Sequence, residues 1–181
     1  MSSTREYKFR SAVPDDADLI LEFMALLAVY SRKAHLMGIT AGQIRKWVFE
    51  DRHVEVIFVL DDDGREAGFA LFFRTFWAIE GKQGIYIENL LVREEYRGKG
   101  YGRALLDRLA RICAERGLKC MEWDCLAWNE AGLGFYEKWG ARKDGAYITM
   151  YVPDVTGLPG ECGGCLAEPP EDIPGACSQD F

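Results

Sequence analysis

Glycine occupies alternate positions, 98, 100 and 102, between an apolar segment and an amphipathic one. The apolar segment, 84–92, has the length and the β-branched and aromatic content of a buried strand. The segment 101–116 repeats apolar residues with the helical period, and 120–127 is a second candidate strand. A strand, a glycine loop, a helix and a strand in this order predict a right-handed crossover between parallel strands.

The remaining segments predict an α/β fold with a mixed sheet and helices on both faces. We expect Thr40 and Gln43 to form a capping box and Gly140 to terminate the last helix. The predicted apolar face of the first helix, which begins at residue 14, is Leu19, Phe23, Leu26, Leu27 and Tyr30. Further strands are predicted at 7–11, 54–60, 66–77 and 146–152, and further helices at 40–49 and 129–139.

Acidic charge is concentrated at the C-terminal end. Residues 153–181 contain six acidic residues and neither Lys nor Arg, which leaves about −1 of the net charge of −7 for residues 1–152. The same 29 residues hold five of the six prolines and show no apolar periodicity. This composition predicts one domain, 1–152, followed by a flexible tail, 153–181.

Charge and hydropathy exclude several classes of function. A nearly neutral domain lacks the clustered basic surface that nucleic-acid binding requires. No segment approaches the roughly 18 consecutive apolar residues of a membrane span, and the N-terminal residues lack the apolar core of a signal peptide. We therefore expect a cytoplasmic protein without a nucleic-acid or membrane partner.

The cysteines do not predict a metal site. Cys162, Cys165 and Cys177 offer three thiolates, whereas a structural zinc ion takes four ligands. We interpret them as a redox-active pair or as free thiols. The other cysteines are expected to pack as small core residues: Cys113, Cys120 and Cys125.

The glycine loop predicts an anion site. Glycines let the backbone approach a ligand, the following helix presents free N–H groups, and Arg97 and Lys99 add positive charge. The alternative is an ordinary turn between strand and helix. The P-loop pattern GxxxxGK[ST] and the dinucleotide pattern GxGxxG are both absent.

The loop Arg97-Gly98-Lys99-Gly100-Tyr101-Gly102 resembles the [Q/R]xxGx[G/A] pyrophosphate loop of the GNAT N-acetyltransferases. Residues 128–130 and 134–141 resemble the last motif of that family, and the element order fits over 7–152. Residues 87–92 and 128–130 most resemble the diamine acetyltransferases that act on spermidine, spermine or thialysine. The resemblance implies a GNAT-like acyl-CoA N-acyltransferase fold, acetyl-CoA as cosubstrate, a small primary amine as acceptor, and a homodimer.

The resemblance also implies which residues bind the donor. The backbone of the loop, Arg97 to Gly102, would bind the pyrophosphate of coenzyme A. The pantetheine arm would pair with the backbone of Leu90, Leu91 and Val92, where the amide of Leu91 or Val92 would bind the thioester oxygen. Asn129 would bind the pantetheine arm or cap its own helix.

Two residues match the proton-transfer positions of the family. Tyr136 matches the general acid, and core packing is the alternative interpretation. Glu88 lies within an apolar strand, where a carboxylate is costly unless it is paired or functional. Glu88 is either a general base that acts through water or the partner of Arg74 in a salt bridge. The only histidines, at positions 35 and 53, are expected at the surface rather than in catalysis.

The acceptor end is expected to include Tyr30, Glu88 and Asn89. Asn89 stands where the diamine enzymes tend to carry Asp, and Arg32 and Lys33 make the nearby loop basic. We therefore expect little countercharge for a free polyamine, and a better fit for an amine that also bears a carboxylate. The alternative is that both basic side chains face solvent.

Three functions remain open at this level. The first is acetyl transfer to a diamine, a polyamine or a basic amino acid by direct transfer in a ternary complex. The second is acetylation of a protein lysine or N-terminus. The third is a non-catalytic acetyl-CoA-binding module, which the presence of both Glu88 and Tyr136 disfavours.

Overall fold

The structure of the chain is a computed structural model that describes residues 6–145. Three sequence predictions fall outside this range: the last strand at 146–152, the domain boundary at 153, and the state of the tail cysteines. They therefore stay predictions.

Strands and helices follow one another along the described residues in nearly the predicted order. In chain order they are β1 (Lys8–Ser11), α1 (Ala17–Tyr30), α2 (Ala41–Ile44), β2 (Glu55–Leu60), β3 (Glu66–Trp77), β4 (Lys82–Val92), α3 (Tyr101–Glu115), β5 (Cys120–Glu122) and α4 (Glu130–Trp139). Short 3-10 turns lie at Pro14–Asp16, Ala34–Leu36 and Glu94–Tyr96, and a π-helix, Arg45–Glu50, continues α2.

The five described strands form one mixed sheet in the order β1-β2-β3-β4-β5. Every neighbouring pair is antiparallel except β4 and β5, which are parallel. The α/β class, the mixed sheet and the parallel crossover through α3 are therefore confirmed.

The two faces of the sheet carry separate hydrophobic cores. On one face α3 buries Leu105 and its neighbours, and on the other α1 buries Ile20 and Phe23. The alternation of side chains along a strand sorts the residues of β2 between these cores. Ile57 and Val59 lie on the α3 side, and Val56 and Phe58 lie on the α1 side.

The predicted apolar face of α1 is wrong at its end. Ile20 and Phe23 are fully buried, but Leu26 is 40% exposed and Tyr30 is 37% exposed. Leu27 still packs against the core, but the end of the helix contacts the start of α4 through Tyr30. Tyr30 is thereby available to the candidate active site.

Strand β5 is shorter than predicted. It pairs with β4 only at residues 84–86, and it ends at Glu122 rather than at residue 127. Trp123 turns away to pack against Tyr136 of α4, with ring centres 5.1 Å apart. Beyond Tyr86, β4 therefore runs on without β5 beside it, and the two strands separate.

A β-bulge interrupts β4 where this separation begins. Leu71 of β3 pairs with Asn89, and the next residue, Phe72, pairs with Ile87. Glu88 is thus an extra residue without a partner in β3, as in a β-bulge. Its side chain is exposed, so the expected cost of a buried carboxylate does not arise.

The predicted helix ends are confirmed. The Gln43 amide donates to Thr40 Oγ1 at 3.3 Å, and the Thr40 amide donates to Gln43 Oε1 at 2.9 Å. Gly140 ends α4 in the left-handed region with φ 115°. These local signals act within a few residues and need no tertiary contact.

The cysteines and histidines of the described range differ in burial. Cys113 is buried as predicted, but Cys120 and Cys125 are only half-buried, because β5 lies at one side of the described sheet and ends early. His35 and His53 are exposed, as predicted.

The contact between β4 and β5 depends on Gly84. A Cβ atom at Gly84 would lie well inside the contact distance of the Cys120 backbone oxygen and Sγ. We expect Gly84→Ala to lower the free energy of unfolding by about 1–3 kcal/mol, because an overpacked site must shift its neighbours. Urea denaturation measures this change.

A matched control is Gly134→Ala. A Cβ atom there meets nothing within 4 Å, and Gly134 lies inside α4. Alanine should therefore stabilise the helix by about 0.5–1 kcal/mol relative to glycine. An equal effect of both substitutions would contradict the packing argument.

Candidate active site

The glycine loop before α3 has a backbone that favours glycine. Gly98 and Gly100 have φ of 72° and 88°, in the left-handed region. The Tyr7 hydroxyl donates to the Lys99 carbonyl at 2.8 Å and fills the space that a Cβ of Gly100 would need. Tyr7, the residue before β1, therefore helps to fix the loop, and sequence reasoning did not single it out.

The loop and the start of α3 form a positive, open end. The first N–H groups of an α-helix have no acceptor inside the helix. Arg97 and Lys99 are exposed beside them. Arg97 Nε donates to the Val92 carbonyl at 3.3 Å, which holds the guanidinium near the end of β4. This arrangement suits an anion with several oxygens.

Tyr101 and Gly102 can contribute only backbone groups to such a site. The Tyr101 ring is 2% exposed and packs edge-on against Tyr7 and Tyr96. A Cβ at Gly102 would lie 3.4 Å from the Phe135 ring, so glycine lets α3 approach α4 closely.

The end of β4 borders the gap between β4 and β5. Leu91 is buried on the α1 side, and Leu90 and Val92 are half-buried against the α3 core. Because the bulge adds Glu88, the alternation shifts by one residue: odd-numbered Ile87 faces the α3 core before the bulge, and even-numbered Leu90 and Val92 face it afterwards. The backbone of 87–92 pairs with β3 on one side and has no described strand on the other.

Glu88 forms no salt bridge with Arg74. Arg74 lies near Gln83 Oε1 at 3.5 Å, and no ion pair involves Glu88 within residues 6–145. The Asn89 side chain donates its Nδ2 to the Glu88 carbonyl at 2.8 Å. Asn89 Oδ1 is buried and finds no partner in the same range. The salt-bridge interpretation of Glu88 is therefore wrong.

Three carboxylates surround Tyr86 where β4 and β5 separate. The pKa of Tyr86 lies well above its usual range because of burial first, then the hydrogen bond to Asp124 and the charges of Asp124, Glu88 and Glu122. Glu122 is directly across from Tyr86 and accepts a hydrogen bond from Thr75 at 2.7 Å. The site is thus negative on the β4–β5 side.

Sequence reasoning missed Glu122 and Asp124. Their spacing of two within the predicted strand 120–127 was a usable signal, because residues two apart in a strand share a face. Glu122 pairs with Tyr86 and Asp124 lies two residues beyond the end of β5, so their approach to Tyr86 depends on a register that the sequence did not supply. The expectation of little countercharge near Glu88 is therefore wrong on this side of the site.

Tyr136 lies at the same end of the sheet, on α4. Its half-buried ring contacts Trp123 and Phe135, with both pairs of ring centres 5.1 Å apart. Burial, followed by the charges of Cys125 and Tyr30, raises the pKa of Tyr136 to about 12. At this pKa the hydroxyl keeps its proton at neutral pH. It has no hydrogen-bond partner within the described part of the chain, so it can donate to a ligand.

Asn129 caps α4, as predicted. Its Oδ1 accepts the Gly132 amide at 3.0 Å. The same oxygen accepts the Tyr30 hydroxyl at 3.0 Å. This bond joins the end of α1 to the start of α4 across 99 positions of sequence, and sequence reasoning did not foresee it.

Arg32 contacts the same region and does not simply face solvent. Its guanidinium lies 4.9 Å from the centre of the Trp128 ring, a cation–π distance. Lys33 is exposed and forms no ion pair within residues 6–145. One of the two basic side chains of this loop is therefore directed towards the site.

A separate cavity of about 680 Å³ lies between β1, β2 and the end of α3. Its charged walls include Arg116 with Glu55 and Arg108 with Glu115, which pair with each other. None of the candidate-site residues described in this section lines this cavity.

Comparison with known families identifies the protein family of this chain. The model of the acetyltransferase (GNAT) family matches residues 23–141, about two-thirds of the chain. The chain belongs to the acetyltransferase (GNAT) family. It is therefore an acetyltransferase, and the family uses acetyl-CoA as cosubstrate.

Relatives of this GNAT enzyme include small-molecule acetyltransferases. It is 27% identical to L-ornithine N5-acetyltransferase of Arabidopsis thaliana, over 75% of this chain and 79% of the relative. It is 25% identical to thialysine N-epsilon-acetyltransferase of Caenorhabditis elegans, over 83% and 99% respectively. An integron cassette protein of V. cholerae shares the fold with a TM-score of 0.67 at 23% identity, over 84% and 95%.

Two further observations bear on partners of the GNAT domain. No helix among residues 6–145 combines the length and apolar character that crossing a bilayer demands. In that same range no three His, Cys, Asp or Glu side chains are grouped to hold a metal ion.

Proposed function

We propose that the enzyme transfers the acetyl group of acetyl-CoA to a primary amine of a small, positively charged acceptor in a ternary complex. One observation carries the proposal. The bulge that exposes Glu88 and the ring of Tyr136 both lie where β4 and β5 separate. A base and an acid at the same end of the sheet are what amine acetylation requires.

The donor fits the loop and the end of β4. The loop 97–102 holds Gly98 and Gly100 in the left-handed region and has open space beside Gly98, which suits a pyrophosphate near the first amides of α3. The side of β4 at 90–92 that has no neighbouring strand among residues 6–145 suits an extended chain with amide groups such as pantetheine. The amide of Leu91 or Val92 would stabilise the negative oxygen that forms during transfer.

Proton transfer is assigned to two side chains. Glu88, exposed to water, would accept through a water molecule the proton that the acceptor ammonium loses before its nitrogen attacks the acetyl carbon. As the new C–N bond forms and the C–S bond breaks, Tyr136 would donate a hydrogen bond to the departing sulfur, and the second proton that the nitrogen loses would end on that sulfur, which leaves a neutral amide and the free thiol.

The raised pKa of Tyr136 limits how far it can act as an acid. A phenol with a pKa of about 12 is a weaker acid than a thiol, whose usual pKa is about 8.5. Full transfer to a free thiolate is therefore uphill. The main contribution of Tyr136 would be a hydrogen bond that strengthens as negative charge develops on sulfur.

The acceptor is proposed to be a basic amino acid, with diamines as the closest competitors. Glu88, Glu122 and Asp124 supply negative charge for the amine end. Arg32 and Lys33 suit a carboxylate at the other end. The names of two relatives, an ornithine and a thialysine acetyltransferase, point to the same chemical class.

Thiol release from acetyl-CoA tests the proposal. The panel contains ornithine, lysine, diaminobutane, spermidine and a lysine peptide, and calorimetry measures acetyl-CoA binding separately. We expect the highest kcat/KM with a basic amino acid. Acetyl-CoA binding without turnover of any small amine, or turnover of the peptide alone, would contradict the proposal.

A charge variant tests the acceptor side. The double change Glu122→Gln with Asp124→Asn should raise the acceptor KM about 5–10-fold, since two partly screened ion pairs contribute on the order of 1 kcal/mol together. Steady-state kinetics at low ionic strength measures this KM, and the KM for acetyl-CoA should not change.

The control removes two negative charges elsewhere. Asp18→Asn with Glu115→Gln alters exposed pairs with Arg45 and Arg108, away from the site. It should leave the acceptor KM within about twofold, since surface pairs are weak. Equal effects of both double variants would show that only overall charge matters.

A further inference from the structure

The last residue of α1, Tyr30, contacts two residues that the family resemblance places beside the donor, Asn129 and Arg97. Its hydroxyl donates to Asn129 Oδ1 at 3.0 Å. Its ring centre lies 5.2 Å from the guanidinium of Arg97 in the glycine loop. Sequence reasoning placed Tyr30 at the acceptor end, whereas these contacts place it beside the donor-binding residues.

The two hydrogen bonds to Asn129 Oδ1 determine the orientation of its amide group. The Gly132 N–H can only donate, so the oxygen and not the nitrogen must face it. The Tyr30 hydroxyl donates to the same oxygen and opposes rotation from a second direction. The Nδ2 group then has no acceptor within the described residues and can donate to a ligand.

The backbone holds Tyr30 in this place. The Arg32 amide donates to the Val29 carbonyl at 3.1 Å and the Lys33 amide to the Ala28 carbonyl at 2.8 Å, the pattern of a Schellman motif. Arg32 occupies the left-handed position of that motif with φ 60°. Its guanidinium stacks on Trp128, so the end of α1 is attached to the residue that precedes Asn129.

We infer that Tyr30 is a positioning residue for the donor: its hydroxyl orients Asn129 so that Nδ2 donates to an amide carbonyl of the pantetheine arm. Its ring supports Arg97 beside the pyrophosphate loop. The inference rests on the proposed function, because it assumes that acetyl-CoA binds along β4. The end of α1 would then contribute to the donor site, while the loop that follows it contributes to the acceptor site.

The first test is Tyr30→Phe, which removes the hydroxyl and keeps the ring. We expect the Kd for acetyl-CoA, measured by calorimetry without acceptor, to rise about 3–10-fold, the range of one net hydrogen bond. We expect kcat at saturating acetyl-CoA to change less than Kd. Tyr30→Leu also removes the contact with Arg97 and should weaken binding further.

A double-mutant cycle with Asn129→Asp separates this role from a structural one. Aspartate keeps an oxygen for the Gly132 amide and the Tyr30 hydroxyl but has no N–H to donate. We expect Asn129→Asp alone to raise the Kd about 10-fold or more. In that background Tyr30→Phe should change the Kd less than about twofold, because no amide remains to be oriented.

The outcomes are distinguishable. Independent, multiplicative effects of the two changes would overturn the inference, as would a Tyr30→Phe variant with a lower Tm but the Kd of the wild type. A wild-type chain that does not bind acetyl-CoA would overturn the proposed function itself. Coupled effects on Kd, with the Tm of each ligand-free variant near that of the wild type, would establish the positioning role.

Discussion

Tyr136→Phe is expected to lower kcat about 100- to 1000-fold, the usual loss when one donor to a developing negative charge is removed. Phenylalanine keeps the ring contacts with Trp123 and Phe135, so the fold and the Kd for acetyl-CoA should change little. Steady-state kinetics with the best acceptor, together with calorimetry for acetyl-CoA, measures both quantities. The large effect on kcat alone is the signature of a group that acts in the transition state.

Tyr96→Phe is the matched control. The Tyr96 hydroxyl donates to the buried carboxylate of Asp61 at 2.7 Å, and this bond is the first cause that holds the pKa of Asp61 below its usual range. The control should therefore lower the Tm while leaving kcat nearly unchanged. A Tyr136→Phe enzyme with the kcat of the wild type would remove the assignment of the acid and leave the family membership intact.

The second large effect is expected for Gly100→Ala. Alanine at φ 88° is strained by about 1 kcal/mol or more, and its Cβ would also collide with the Tyr7 hydroxyl. Both costs displace the loop from the start of α3. We expect the Kd for acetyl-CoA to rise at least about 100-fold, because several backbone donors lose their common orientation.

Two variants separate strain from collision at this position. Gly98→Ala has a similar φ of 72°, but its Cβ meets nothing within 4 Å, so its effect on the Kd should be clearly smaller. The double variant Tyr7→Phe with Gly100→Ala removes the colliding hydroxyl and should recover part of the lost affinity. Equal losses for Gly98→Ala and Gly100→Ala, without recovery in the double variant, would show that backbone strain alone matters.

The features that sequence predicted correctly depend on short-range physics. The glycine loop, the caps at Thr40 and Asn129, and the crossover between β4 and β5 follow from patterns within one or two elements. The family resemblance rests on the same short motifs. The homodimer and the cytoplasmic location stay predictions.

The features that sequence did not predict depend on register and on contacts between distant segments. A bulge adds one residue and leaves no mark in the apolar pattern, so the exposure of Glu88 was not foreseen. The meeting of Glu122 and Asp124 with Tyr86 requires the parallel register of β5. The bond between Tyr30 and Asn129 joins positions 99 residues apart, and local patterns do not encode it.

If acetyl-CoA binds between β4 and β5 as proposed, the gap would also link the lifetime of this protein to metabolism. The donor would pair with backbone groups of 87–92 that lack a described neighbour, and above its Kd the folded state would then gain free energy with the logarithm of donor concentration. A cell rich in acetyl-CoA would then keep a larger share of these chains folded and out of reach of proteases. The abundance of the enzyme would follow the supply of its own substrate, without any change in its synthesis.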